Sequence, residues 1–360
     1  MTEKVLIGLF GVAIALAGCA KKAEGVPLYP LDRCERVALI DSATGEAVVG
    51  AEDLAFDPRE RRVIISAYDR RAVERQARRR AGALREGGLY AVSLDALASG
   101  EESLSVSSMV ARDTVAGGLR PHGVAFDAER HEITFVNRAY EATRGRWRMT
   151  PRIERVGADG ATFIGDEKAP RCSANDVATI GERTFVSFDH AACGWRGGLE
   201  SALALRLSGV DAAEGGALYK GAGHANGVAA TKDAGLALAA TREGAILFLQ
   251  SEDDAFRLKS RILLPGGPDN LSVSRNGAII AAVYPSLLSI GAQRKLGVGR
   301  SGSRVVRVDP ASGDVRLMFD DPRASLFSAA SAAIEEEGVL VIGSALDRGV
   351  VVCKRENEAP

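Results

Sequence analysis

Five polar pairs recur along this chain: Glu52-Asp53, His122-Gly123, Asn175-Asp176, Asn226-Gly227 and Asp269-Asn270. Each stands directly before an alternating apolar segment, LAFDPRERRVIISAY after the first and VAFDAERHEITFVNR after the second. Carboxylates and amide carbonyls are hard oxygen donors. Gathered in one place they make a cage of the kind calcium takes, with six to eight oxygens at roughly 2.3–2.6 Å. Zinc would require more imidazole or thiolate. Singly, Asn and Asp at such positions do no more than cap turns; it is the repetition at one phase that marks a candidate site. Four His are present, His122, His131, His190 and His224, so few acid–base schemes are open.

The elements that must position these pairs form a repeat. After Asn175-Asp176 comes VATIGERTFVSFDH, after Asn226-Gly227 VAATKDAGLALAATREGAILFLQ, after Asp269-Asn270 LSVSRNGAIIAAVYP, and a sixth copy starts at about Ser331. The spacing, roughly 40 to 70 residues, is that of propeller blades. Alternation with period two marks half-buried strands, and Asp57-Pro58, Lys232–Gly235 and Arg275-Asn276-Gly277 supply the turns between them. Arg304–Phe319 reads as an outer hairpin turning at Pro310–Gly313. The expected fold is therefore all-β, a six-bladed β-propeller. In that fold the innermost strand of each blade lines a central channel, so Glu52, His122, Asn175, Asn226, Asp269 and Asn270 would converge at one mouth. A pair of β-sandwiches leaves the common phase of the pairs unexplained.

Composition narrows the function. With 46 basic and 47 acidic side chains among 360 residues the net charge is -1, which argues against nucleic-acid coating and against polybasic membrane binding. At 46% hydrophobic and 26% charged residues, wholesale disorder is excluded. Lys4 precedes an apolar run, Val5 to Leu16, that is too short to span a bilayer and reads as a secretory signal. It ends in Leu16-Ala17-Gly18-Cys19, which resembles a bacterial lipobox and makes Cys19 the lipidated first residue of the mature chain. The expected organisation is a signal peptide at 1–18, a lipidated tether at 19–33, the propeller at 34–354 and a short tail at 355–360. The chain would face the periplasm or outer membrane of the bacterial cell envelope.

In that oxidising compartment disulfides persist. Cys34, Cys172, Cys193 and Cys353 allow three connectivities, and pairing Cys34 with Cys353 would tie the two ends of a closed structure together. Other motifs carry nothing. Gly297-x-Gly299-x-x-Gly302 precedes a strand rather than a helix, no G-x-S-x-G elbow occurs, and His131-Glu132 lacks a second His. Arg70–Arg85, with seven Arg and one acid, reads as a solvated surface helix, with a contact to anionic lipid as the other reading.

Taken in order, A-E-D-L at 51–54, R-P-H-G-V at 120–124, N-D-V-A at 175–178, F-D-H at 188–190, A-N-G-V at 225–228 and P-D-N-L-S-V at 268–273 resemble the paraoxonase (arylesterase/lactonase) family. The resemblance runs from about Cys34 to Lys354, and its last blade resembles the family's in ending on a Cys. The senescence-marker/gluconolactonase group is the related second choice. The resemblance implies a propeller with two calcium ions. The exposed, catalytic ion would be held by Glu52, Asn175, Asn226, Asp269 and Asn270, the deeper one by Asp53, Asp176 and the backbone carbonyl of Val124. It also implies a Cys34–Cys353 disulfide and hydrolysis of a small lactone or ester. The family's paired His is broken: His122 matches the first, but Arg138 stands at the second. His122 is then the candidate base and His224 the alternative, while His190 reads as structural and His131 as solvated. A non-catalytic propeller that keeps calcium for stability is the competing function.

Overall fold

The computed structural model describes residues 25–80 and 82–355. The segment expected to be a signal peptide, Cys19 and residues 356–360 lie outside the described residues. Among the described residues no helix is long and apolar enough to cross a membrane.

Alternating apolar residues give each blade a face to bury, and six blades bury those faces against one another around an axis. The inner strands are Ala51–Asp57, Pro121–Asp127, Ala174–Ile180, Ala225–Ala230, Gly267–Val273 and Ala330–Glu336, in blades 1 to 6. Each touches the next, and the sixth returns to the first. Between blades 1 and 2 the seam is packed by Ile64, Leu89, Val124, Ile133 and Phe135; between blades 4 and 5 by Ile246, Leu271, Ile279 and Val306. Blades 2 to 5 are four-stranded antiparallel sheets, which rules out the sandwich reading. Ser303–Val308 and Val315–Asp321 form the expected outer hairpin of blade 5, and the former is the strand that follows the glycine-rich 297–302 segment.

Ring closure is made by the N-terminal strand. Cys34–Asp41 pairs antiparallel with Val350–Lys354 of blade 6, with Cys34 opposite Cys353, and runs on parallel to Ser103–Val106. The Cys34–Cys353 disulfide forms at that seam, with Cα atoms 4.0 Å apart. Cys172 and Cys193 also pair, a link the sequence left open. Within the segment 19–33, Leu28 and Tyr29 lie against blade 5. Leu28 and Tyr29 donate backbone hydrogen bonds to Leu317 and Met318, and Tyr29 is buried with its hydroxyl on Glu335 at 2.7 Å. An aromatic ring with an apolar slot and a polar partner for its tip has no reason to stay in water.

Arg70–Arg78 is helical, with Asp69 capping it by accepting from the Ala72 amide at 2.9 Å and basic residues in its last turn. It is not simply solvated. Arg75, Arg78, Arg79 and Arg80 face solvent, but Arg70 is buried, because Ala72 and Val73 turn that face of the helix inward.

Candidate functional site

Every inner strand carries a register shift at its polar pair: between Ala51 and Asp53, Pro121 and Val124, Ala174 and Val177, Ala225 and Val228, Pro268 and Leu271, and Ala330 and Ala332. Such a bulge inserts an extra residue and re-aims side chains. Here it frees both members of a pair from strict alternation, and both become buried at the axis. The sixth pair position holds Ser331, whose hydroxyl donates to the carbonyl of Glu52 at 2.7 Å.

The second members of the pairs form the deeper layer. Asp53 accepts from the amides of Leu54 at 2.9 Å and Val124 at 2.8 Å; Asp176 accepts from Val177 at 2.7 Å and Val228 at 2.8 Å. Each carboxylate thus grips the neighbouring blade, and the contact of Val124 with Asp53 runs through its N–H. Blades 2 and 4 carry Gly at this level for a steric reason. A Cβ on Gly123 would lie 2.3 Å from Asp176 Cα, and one on Gly227 2.6 Å from Asn270 Cα. Burial, then the charge of Asp176, pushes Asp53 well above the usual carboxylate range, and burial pushes Asp176 up to about 7.

The first members form the outer layer, which brings four of the five predicted donors together, while the fifth, Asn270, is a second member that reaches this layer through the Glu52 backbone. Asn226 Nδ2 donates to Asp269, as does the Tyr284 hydroxyl, and Asn270 Nδ2 donates to the carbonyl of Glu52 at 2.9 Å. Asn270 Oδ1 is buried without a hydrogen-bond partner. Burial, then the charge of Glu52, pushes Asp269 well above its ordinary range. A buried orphan oxygen amid mutually repelling carboxyls is what a cation would satisfy, and the donors are all oxygen, so the residues fit calcium.

Glu52, Asn175, Asn226 and Asp269 open onto a cavity of roughly 430 Å³. Its rim holds Arg70, 3.6 Å from Glu52 Oε1, and Arg294 from the Leu287–Leu296 helix. Glu74 bridges these two, at 3.2 Å from Arg70 Nε and 3.1 Å from Arg294; against the cost of burial, their charges hold it down at about 2. The arginine-rich segment therefore contributes to the site, which its composition did not reveal.

The histidines separate. His122 is buried, its Nδ1 3.6 Å from Glu52 Oε1, and it does not border the cavity. Burial, then the charges of Arg138, Arg70 and Arg294, holds it well below the ordinary imidazole range, so the ring is neutral at pH 7. Arg138 is buried beside it, the substituted partner acting as its charge suggests. His224 does face the cavity, where burial pushes it down to about 4 against the pull of Asp189. His190 is more than a support: with Asp189 and His224 it places three ligand-type atoms within 4.8 Å of one another. F-D-H was visible in the sequence, but its third member arrives from the next blade. His131 is not merely solvated. Its Nε2 lies 3.7 Å from Asp57 and its ring packs edge-on against Phe126, centroids 5.7 Å apart.

No sequence-family profile matches the chain, and no curated protein matches it by sequence. Solved structures do match in fold. A protein proposed to be a gluconolactonase aligns with TM-score 0.51 and 16% identity over 93% of this chain and 97% of that one. A gluconolactonase from Xanthomonas campestris, important in glucose secondary metabolic pathways, aligns with TM-score 0.50 and 16% identity over 94% and 97%.

Proposed function

We propose that this chain is a calcium-dependent hydrolase of lactones or aryl esters, paraoxonase-like, with lactones as the first substrate class. The carrying observation is that Glu52, Asn175, Asn226 and Asp269 are buried side by side at the floor of a cavity of roughly 430 Å³, with Asn270 buried against the Glu52 backbone. That volume suits a small organic molecule. The likeness in fold to gluconolactonases supports lactones over other esters.

Glu52, Asn175, Asn226, Asp269 and Asn270 would hold the catalytic ion, and Asp53, Asp176 and the Val124 carbonyl the deeper one. When bound, the ion supplies polarisation of the ester carbonyl and a place for its developing oxyanion. The chain's own groups do the rest. Tyr284 fixes Asp269 by hydrogen bonding, and Arg70 and Arg294 keep the rim positive as negative charge develops. His122, neutral and closed off from the cavity, packs beside Glu52. Asp189, His190 and His224 are the groups placed to act on the attacking water.

Two disulfides support an oxidising compartment, and the 16–19 motif supports anchoring through a lipid on Cys19 in the cell envelope. Radiolabelled palmitate should enter the wild-type chain and not Cys19→Ser.

The functional test is a panel of aliphatic lactones and aryl esters, with chelator and with calcium restored. Hydrolysis should vanish with chelator and return with calcium. Asp269→Ala should stay folded without activity, while His122→Gln should keep most of it. Stabilisation by calcium with no hydrolysis of any substrate would leave the non-catalytic reading.

A further inference from the structure

We infer that Asp189, His190 and His224 form a binding site for one first-row transition-metal ion, with Zn²⁺ as its representative, on the wall of the cavity above the oxygen cage. Two imidazole nitrogens and one carboxylate oxygen are a ligand set for zinc and its neighbours, and a poor one for calcium. The three ligand atoms lie within 4.8 Å of one another. Bonds of 2.0–2.2 Å at tetrahedral angles separate donors by about 3.4 Å, so rotamer adjustments of about 1.4 Å or less complete the site.

Independent features point the same way. Nδ1 of His190 and Nδ1 of His224 are buried with no hydrogen-bond partner, whereas buried polar atoms almost always find one. His224 sits at φ 64, in the left-handed region that His, like Asn and Asp, enters more readily than most side chains. The other two residues are clamped. Asp189 donates its amide to the Ser173 carbonyl at 3.0 Å, and the Ser173 hydroxyl donates to the His190 carbonyl at 2.6 Å. The Cys172–Cys193 disulfide links the chain on either side of this contact. Gly197 packs flat on the imidazole: a Cβ there would lie 2.0 Å from His190 Cδ2. Asn175 Nδ2 donates to Asp189 and so orients the carboxylate, as outer-shell partners do in metal sites. The cavity leaves the remaining coordination positions open to water or substrate.

The inference deepens the proposed reading of the cavity: Asp189, His190 and His224 act on water as ligands of an ion rather than as free bases. Its test is binding, without substrate. The untagged full chain is stripped with chelator, saturated with Ca²⁺, and titrated with Co²⁺ followed by its visible absorption, and with Zn²⁺ by calorimetry. One Co²⁺ per chain with ligand-field bands of low-coordinate geometry is expected, displaced by Zn²⁺. His190→Gln and His224→Asn should each weaken binding at least ~100-fold, and Gly197→Ala about 10-fold through His190. Asn tolerates the left-handed backbone, so His224→Asn separates loss of a ligand from loss of fold, with melting curves as the control. Glu52→Gln should leave the cobalt spectrum unchanged. Absence of cobalt binding, or binding retained by both His variants, overturns the inference. Cobalt binding in a chain that hydrolyses nothing would sustain it while the hydrolase reading fails, and calcium-dependent hydrolysis without cobalt binding would do the reverse.

Discussion

Glu154 lies on the third strand of blade 2, buried, and accepts from Asn137 Nδ2 at 3.2 Å. Asn137 in turn accepts the Arg120 amide at 2.8 Å and stands next to Arg138. Burial, the larger influence, pushes the Glu154 carboxyl from 4.5 up to about 7, opposed by the Asn137 hydrogen bond and aided by the charge of Asp166. The folded chain therefore holds this proton over a range in which the unfolded chain has lost it. Between pH 4.5 and about 7 the native state binds more protons, so stability falls as pH rises. A shift of that size corresponds to a ceiling of about 3.4 kcal/mol, and screening by solvent and by Arg152 brings the expectation to roughly 2 kcal/mol. Glu154→Gln keeps the shape and an amide in place of the acid. Urea unfolding at fixed calcium, in steps from pH 4 to 8, should show the variant gaining on the wild type by roughly 2 kcal/mol across the window. Because other buried carboxyls titrate in the same direction, the difference between the two proteins is the quantity to read. A difference that stays flat with pH would refute the reasoning, and one that grows toward acid would reverse its sign.

Gly123→Ala forces a Cβ to 2.3 Å from the Asp176 backbone, and since backbone cannot step aside as a flexible side chain does, unfolding in urea should show a loss of at least about 3 kcal/mol. Cys34→Ser opens a ring of 319 residues; the chain-entropy ceiling is about 6 kcal/mol and about 2–4 kcal/mol is the expected loss, seen as a lower melting temperature under non-reducing conditions and no change under reducing ones.

The architecture was legible because its signals are local and repeated. Alternating residues and a polar pair at one phase are properties of single strands, and a chain that repeats them six-fold has few closed ways to bury the resulting faces. The convergence of Glu52, Asn175, Asn226 and Asp269 followed from that phase. Even so, the reason both members of a pair reach the axis, a bulge in every inner strand, left no trace in the apolar pattern, because a bulge is a relation between two strands.

The rest was decided by neighbours that sequence distance conceals. Arg70 looked like one charge among many on a solvated helix until the fold set it 3.6 Å from Glu52. His122 carried the strongest motif, yet its burial beside Arg138 depends on how blades 1 and 2 close, and the cavity went to His224 instead. Asp189 and His190 follow the Arg183–Phe188 strand of one blade, His224 precedes the inner strand of the next, and only the turn of the ring brings them within 4.8 Å. The sequence by itself determined which apolar residues each blade presents to its neighbours and where along the blade the polar pairs recur, since both follow from the two-residue period and its repetition. Which of them face one another, which are stripped of water and which remain open to a ligand were decided by tertiary structure, because desolvation and charge coupling depend on distances of a few ångströms between segments far apart along the chain.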